Sequence, residues 1–211
     1  MDIEFVMPDQ IENRSFEILT EELKNMGVTL TGETAPVIKR CIHTSADFDY
    51  ANTLKFSKDA VGILKELFEK KTVIVTDTNM ALAGINKKKL SKYGIEAYCF
   101  MADEDVALEA KNRQITRASV SMEKAMRMSD QVIFVVGNAP TALITLHEAY
   151  KSGKYRPAFI IGVPVGFVNV EAAKELILDS DIPYIVNKGR KGGSNIAAAI
   201  CNAVLNMELK D

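Results

Sequence analysis

Apolar residues along the chain follow two alternating rhythms. A helical repeat carries Ile11, Ile18, Leu19 and Leu23 through residues 8–26, with Asp9 placed to cap it and Gly27 to stop it. A second helix is expected over residues 35–43. There Thr34 is a candidate N-cap, Pro36 suits the first turn, and Val37 with Cys41 and Ile38 with Ile42 pair four apart on one face. Residues 48–56 alternate imperfectly through Phe48, Tyr50 and Asn52 and read as a strand. Ser57 then caps a helix over 58–69 whose stripe is Val61, Leu64, Leu67 and Phe68. The nearly continuous β-branched run at 72–77 reads as a buried strand, ending in the polar Asp77-Thr78-Asn79-Met80. A short basic helix over 87–93 closes at Gly94, and 95–101 is the next strand. Helices over 103–113 and 117–129 precede a strand at 131–136. A helix at 140–151, a strand at 158–163, a helix at 170–178, a strand at 183–186 and a helix at 195–207 complete the series.

Strands alternate with helices, with no internal repeat and no break in composition. One α/β domain over residues 1–211 is therefore expected: three layers, with a mostly parallel sheet and helices on both faces. In such sheets ligands lie beyond the carboxyl ends of the strands. Three expected strand ends are rich in glycine and polar residues, at 137–141, 164–169 and 187–194.

Composition narrows the chemistry. A chain of 211 residues that is 47% hydrophobic can bury a sizeable core. Its formal net charge of -2 gives no global field for nucleic acid, so an anionic partner must be held by local arginines and lysines. Cys41, Cys99 and Cys201 are far apart and lack zinc or disulfide spacing, which suits reduced thiols in the cytoplasm. The start at Met1-Asp2-Ile3-Glu4 does not read as a signal peptide, and no apolar run approaches membrane-spanning length.

Several stretches could carry function. Arg40 and His43 are three apart, one turn from each other on a helix face. The imidazole can exchange a proton near neutral pH, and the guanidinium can hold a carboxylate of the molecule that receives it; the alternative is a histidine that merely caps a helix end. In Gly189-Arg190-Lys191-Gly192-Gly193-Ser194, adjacent glycines allow close backbone approach, Ser194 is placed as an N-cap, and two cations add charge. That is an anion site for phosphate or carboxylate without the order of a Walker loop, or else a solvated basic turn. Asn138 and Thr141, in Gly137-Asn138-Ala139-Pro140-Thr141, can read a polar ligand or simply start a helix. Arg117 precedes a helix and can bind an anion or lie on the surface. Ser15 has no role by pattern, and His147 reads as a packing residue.

Taken in order, Pro8-x-x-Ile11-x-x-x-Ser15-Phe16, Arg40-x-x-His43, Gly137-Asn138-Ala139-Pro140-Thr141-Ala142-Leu143, Gly162-Val163-Pro164-Val165-Gly166-Phe167-Val168 and Gly189-Arg190-Lys191-Gly192-Gly193-Ser194 span nearly the whole chain. In this series the sequence resembles the precorrin-8 methylmutase family, including its cobalt-precorrin-8 form. Thr44-Ser45 after the histidine depart from the small apolar residues of some relatives. The resemblance implies an isomerase of cobalamin biosynthesis that moves a methyl group from carbon 11 to carbon 12 on ring C of (cobalt-)precorrin-8, giving hydrogenobyrinate or cobyrinate. His43 would be the proton donor and acceptor. Ser15 and Arg40 match substrate-binding positions, and Arg117 matches an arginine near the substrate. With Asn138, Thr141, Arg190, Lys191, Gly192, Gly193 and Ser194 they make up the candidate site. The migration needs no methyl donor or other cofactor and no metal held by the protein, although the substrate can itself carry cobalt. The family also implies a homodimer, a polycarboxylate tetrapyrrole as ligand, and neither nucleic acid nor membrane as partner. Two other readings stay open: a non-catalytic corrinoid carrier, and an α/β enzyme for a phosphorylated metabolite.

Overall fold

The computed structural model describes residues 3–207 and 209; Met1 and Asp2, read above as a start without a signal peptide, lie outside them. Among the described residues the strands form one six-stranded sheet in the order β1-β6-β5-β4-β2-β3. These are β1 (Leu54–Phe56), β2 (Val73–Thr76), β3 (Ala97–Tyr98), β4 (Val132–Val136), β5 (Phe159–Gly162) and β6 (Tyr184–Asn187). All neighbours run parallel except β1, which lies antiparallel along β6.

Strand side chains alternate between faces, and the two faces feed different cores. Ile133 and Val135 of β4, Phe159 and Ile161 of β5, and Ile185 of β6 pack with α1 (Ile11–Asn25), α2 (Ala35–Ser45), α4 (Ala60–Glu69) and α11 (Ser194–Leu205). Val132, Phe134 and Val136 of β4, Ile160 of β5 and Val186 of β6 pack with α8 (Arg117–Met128), α9 (Pro140–Lys151) and α10 (Val170–Leu178). This is the expected three-layer arrangement. It explains why the central strands read as continuous apolar runs: β4 is buried at every residue. No helix among the described residues is long and apolar enough to cross a membrane.

The structure corrects several local expectations. The strand expected over 48–56 is a turn of helix, α3 (Tyr50–Thr53), followed by the short β1. Asp47 Oδ1 accepts from the Asp49 amide at 3.0 Å and Thr53 Oγ1 donates to Asp49 O, so side chains of this polar stretch satisfy the backbone locally and compete with a ladder. The residues after Asp77, read as a polar strand end, turn into α5 (Asn79–Gly84), capped by Thr78 Oγ1 accepting from Ala81 N. The strand at 95–101 shrinks to β3, an edge with two paired positions on β2. Ser57 caps nothing: its hydroxyl donates to Tyr184 O and accepts from Tyr184 N, stitching the end of β1 to β6. Asp9 and Thr34 make no cap hydrogen bond either. α6 (Lys87–Tyr93) and α7 (Glu104–Arg113) lie where their periodicity puts them.

Candidate functional site

Along the chain β2 leads to β3 in one direction across the sheet, whereas β4, β5 and β6 step away in the other. The order therefore reverses between β2 and β4, where open α/β sheets place their ligands at the carboxyl edge. Asp77, fully buried at the end of β2, spans that point. Its carboxylate accepts from the amides of Gly137 at 2.8 Å, Asn138 at 2.8 Å and Ala139 at 2.6 Å, which fixes the turn after β4. Burial pushes the Asp77 carboxyl up from its ordinary value, and the three amide donors pull the other way. Nothing in the pattern of apolar residues singled out Asp77; a carboxylate closing a β-branched run was the available signal.

Four groups of candidate residues surround this edge. Thr141, in the first turn of α9, bonds Thr116 at 2.8 Å, so the start of α8 and its exposed Arg117 sit beside the turn that carries Asn138. The loop after β6 forms the second group. Ser194 is not its N-cap; Gly193 occupies that position, and Ser194 Oγ instead bonds Thr78 Oγ1 at 2.7 Å. Two glycines, Gly137 and Gly192, serve close packing within the chain, whereas a Cβ on Gly189 would meet nothing within 4 Å. A Cβ on Gly137 would lie 2.7 Å from Ser194 Cα, and one on Gly192 would collide with the Val163 carbonyl oxygen. These contacts draw the ends of β4, β5 and β6 together.

The third group is on α1 and α2. The His43 imidazole is exposed and stacks on Phe16, with ring centroids 5.0 Å apart and planes within 15°. The Arg40 guanidinium also lies over the Phe16 ring, 4.9 Å from its centroid, and its Nη1 meets Glu12 Oε1 at 2.5 Å. Phe16 thus holds both the imidazole and the guanidinium, a role its helical spacing did not reveal. Ser15, half-buried beside it, donates back to Ile11 O at 2.9 Å, the bond expected of a mid-helix serine. His43 lies in the last turn of α2, but the cap is made by the backbone of Ala46 in left-handed conformation. The backbone cap is thus made without His43, which still stands as the basic residue of the last turn of α2.

The fourth group consists of cations that the sequence presented as free. Lys191 Nζ contacts Asp47 Oδ2 at 2.6 Å and Asp49 Oδ2 at 2.5 Å, tying the loop after β6 to the segment that follows His43. Hydrogen bonding to the two aspartates raises the lysine, and the same contact lowers Asp47. Arg190 pairs with Glu171 of α10 at 3.0 Å and lies over the exposed Phe167 ring at 5.6 Å. Exposed pairs of this kind are worth little, so an incoming carboxylate can exchange with the resident one. Cys41 and Cys201 are buried, and burial pushes both thiols up to about 12, leaving them inert. His147, half-buried in α9, tilts against Tyr150, as a packing residue would.

Hydrogen bonds and ion pairs, joined by short stretches of chain, link the Thr116–Thr141 pair, the 137–139 turn, the Thr78–Ser194 pair and Lys191 to the segment after His43. The CbiC precorrin-8X methylmutase family model matches residues 10–207. The chain belongs to this family of cobalamin-biosynthesis isomerases. Among its relatives, the cobalt-precorrin-8 methylmutase of Priestia megaterium is 41% identical over 94% of this chain and 88% of its own length. That of Leptospira interrogans is 42% identical over 95% and 94%. The crystal structure of precorrin-8x methyl mutase from Thermus thermophilus superposes with a TM-score of 0.84 at 34% identity, over 94% of this chain and 96% of that one.

Proposed function

We propose that this isomerase moves the methyl group on ring C of precorrin-8 from carbon 11 to carbon 12, with His43 as the proton donor and acceptor. The observation that supports this most directly is the exposed imidazole held by stacking beside an arginine, just before the Asp47 that pairs with Lys191 of the loop after β6. The shift breaks the carbon 11–methyl bond as the carbon 12–methyl bond forms. Substrate and product are isomers, so no donor is consumed. A proton lent by His43 to a ring nitrogen draws electron density from the conjugated system and eases migration; its return restores the histidine. General acid–base help of this kind contributes ~10²–10⁴-fold.

The substrate carries many carboxylates. Arg40, Arg117, Arg190 and Lys191 would meet them by exchanging carboxylate partners, with Ser15, Asn138, Thr141, Ser194 and the backbone of Gly192 and Gly193 supplying further polar contacts. The exposed Val165, Phe167 and Val168 offer apolar cover for a large flat ring. Relatives named cobalt-precorrin-8 methylmutase run from 33% to 42% identity, against 31% and 29% for two named precorrin-8X methylmutase, which leans toward a cobalt-loaded substrate. The working unit we propose is a cytoplasmic homodimer with the cleft near its interface.

The test is the visible spectrum of the protein with excess precorrin-8, metal-free and cobalt-loaded, followed over time, for wild type and His43→Ala. Wild type is expected to convert the cobalt form beyond one equivalent per site, while folded His43→Ala loses at least 10²-fold in rate. Wild-type turnover by His43→Ala removes the histidine from the mechanism. A bound spectrum without turnover favours a carrier.

A further inference from the structure

Lys174 is a lysine with no exposed surface, in the middle of α10. Lysine is almost never buried this completely unless its charge is partnered, and an apolar residue of similar volume would spare the protein the desolvation cost. Its partners are two backbone oxygens of the loop after β6: Nζ donates to Gly189 O at 2.7 Å and to Lys191 O at 2.9 Å. Burial pushes the amine down to about 8.

The same loop is gripped on every side. Arg190 O, between those two carbonyls, accepts from the Gly166 amide at 3.2 Å. Lys191 O also accepts from Asn187 Nδ2 at 2.9 Å, and Asn187 Oδ1 in turn accepts from Thr53 at 2.7 Å. Three successive carbonyls therefore face into the protein. No peptide bond among the described residues is cis, and in a trans peptide the N–H points opposite to the C=O. Each amide of Arg190, Lys191 and Gly192 therefore points away from the donor that holds its peptide's carbonyl, and among the described residues none of the three has a backbone acceptor. An array of such amides flanked by two cations favours a carboxylate. One face of α10 supports the whole loop: Glu171 takes Arg190, Lys174 takes the carbonyls, and Glu175 takes Lys188 at 3.4 Å, in the i, i+3, i+4 relation.

We propose that Lys174 is a positioning residue for substrate binding: by holding the carbonyls of Gly189 and Lys191 inward, it turns the amides of residues 190–192 and the charges of Arg190 and Lys191 toward a carboxylate of the tetrapyrrole. This rests on the reading of that loop as a substrate-carboxylate site. The measurement is steady-state kinetics with cobalt-precorrin-8 for Lys174→Met, Lys174→Gln and, alongside, Arg190→Ala, each checked for native circular dichroism. Lys174→Met is expected to raise KM at least fivefold with kcat within twofold of wild type. Lys174→Gln keeps two N–H donors on a shorter neutral chain and is expected to fall between. Should Lys174→Met fail to fold, Lys174→Gln decides alone. A wild-type KM in either folded Lys174 variant, with KM raised in Arg190→Ala, overturns the role of Lys174 and leaves the loop as the carboxylate site. A wild-type KM in Arg190→Ala as well overturns the loop reading, and this proposal with it. A fall in kcat at constant KM also overturns it, because a loop that only binds substrate moves KM.

Discussion

Removing the Asp77 carboxylate measures how much of the site is held by one buried charge. The group accepts three backbone N–H bonds at 2.6–2.8 Å and has no exposed surface. Asp77→Ala orphans three donors. The Gly137 amide is fully enclosed and bears the whole cost, whereas Asn138 is exposed and its neighbourhood admits water. At roughly 1–3 kcal/mol per unsatisfied donor, less about 2 kcal/mol recovered by removing a desolvated charge, a net loss of about 3–4 kcal/mol is expected. Asp77→Asn keeps one acceptor oxygen but turns an NH₂ toward the other amides, and is expected to lose about 2–3 kcal/mol. Native domains have ~5–15 kcal/mol in hand, so both variants remain foldable in the cold. The assay is urea unfolding at neutral pH, read by circular dichroism and compared at constant m-value. A loss below about 1 kcal/mol in Asp77→Ala with unchanged m would refute the reasoning, because the three orphaned amides together should cost about 3–4 kcal/mol after the recovered desolvation.

Two further measurements bear on the loop after β6. Gly189 and Gly192 both have positive φ, at 82° and 157°, but only a Cβ on Gly192 meets backbone, at the Val163 carbonyl; at Gly189 nothing lies within 4 Å. Gly189→Ala should cost about 1 kcal/mol and Gly192→Ala at least about 3 kcal/mol in urea unfolding, and equal losses would mean that the loop does not press on β5. Lys174 has a folded pKa of about 8 against an ordinary value of 10.5, so between these two pH values the unfolded chain keeps a proton that the folded chain has released. Stability then rises with pH across that window, by up to about 3 kcal/mol, and the stability of wild type minus that of Lys174→Met is expected to climb from pH 8 to pH 10.5 because the other titrating groups cancel. A difference that stays flat or falls with pH contradicts a protonated, desolvated amine.

How much of this could be read from the chain depended on how local the deciding physics was. β2, β4, β5 and β6 were legible because strands covered on both faces need apolar, β-branched residues in an unbroken run. The strand expected over 48–56 holds only at its last three residues, β1, which pair with β6 more than a hundred residues away, while Tyr50–Thr53 before it turn into helix. α5 is hidden because Thr78, Asn79 and Met80, although they start a helix, form a polar cluster that equally suits the end of β2. Lys174 left a trace that went unused: it stands on the apolar stripe of Val170, Ala173 and Ile177, where a charged residue is out of place.

The cations of the site show the opposite limit. Arg40, Arg190 and Lys191 were visible as charges, but their partners Glu12, Glu171, Asp47 and Asp49 lie 19 to 144 positions away and no local pattern links them. This pairing reconciles an acidic chain of net charge -2 with a proposed ligand made of carboxylates. Each of these three cations already sits against a carboxylate, so in the proposed complex binding would exchange one partner for another instead of ordering a free side chain. The resident pairs are largely exposed, worth at most about 1 kcal/mol each, and therefore weak competitors. In the proposed complex the displaced glutamates and aspartates would stay near the ligand and limit how tightly it is held.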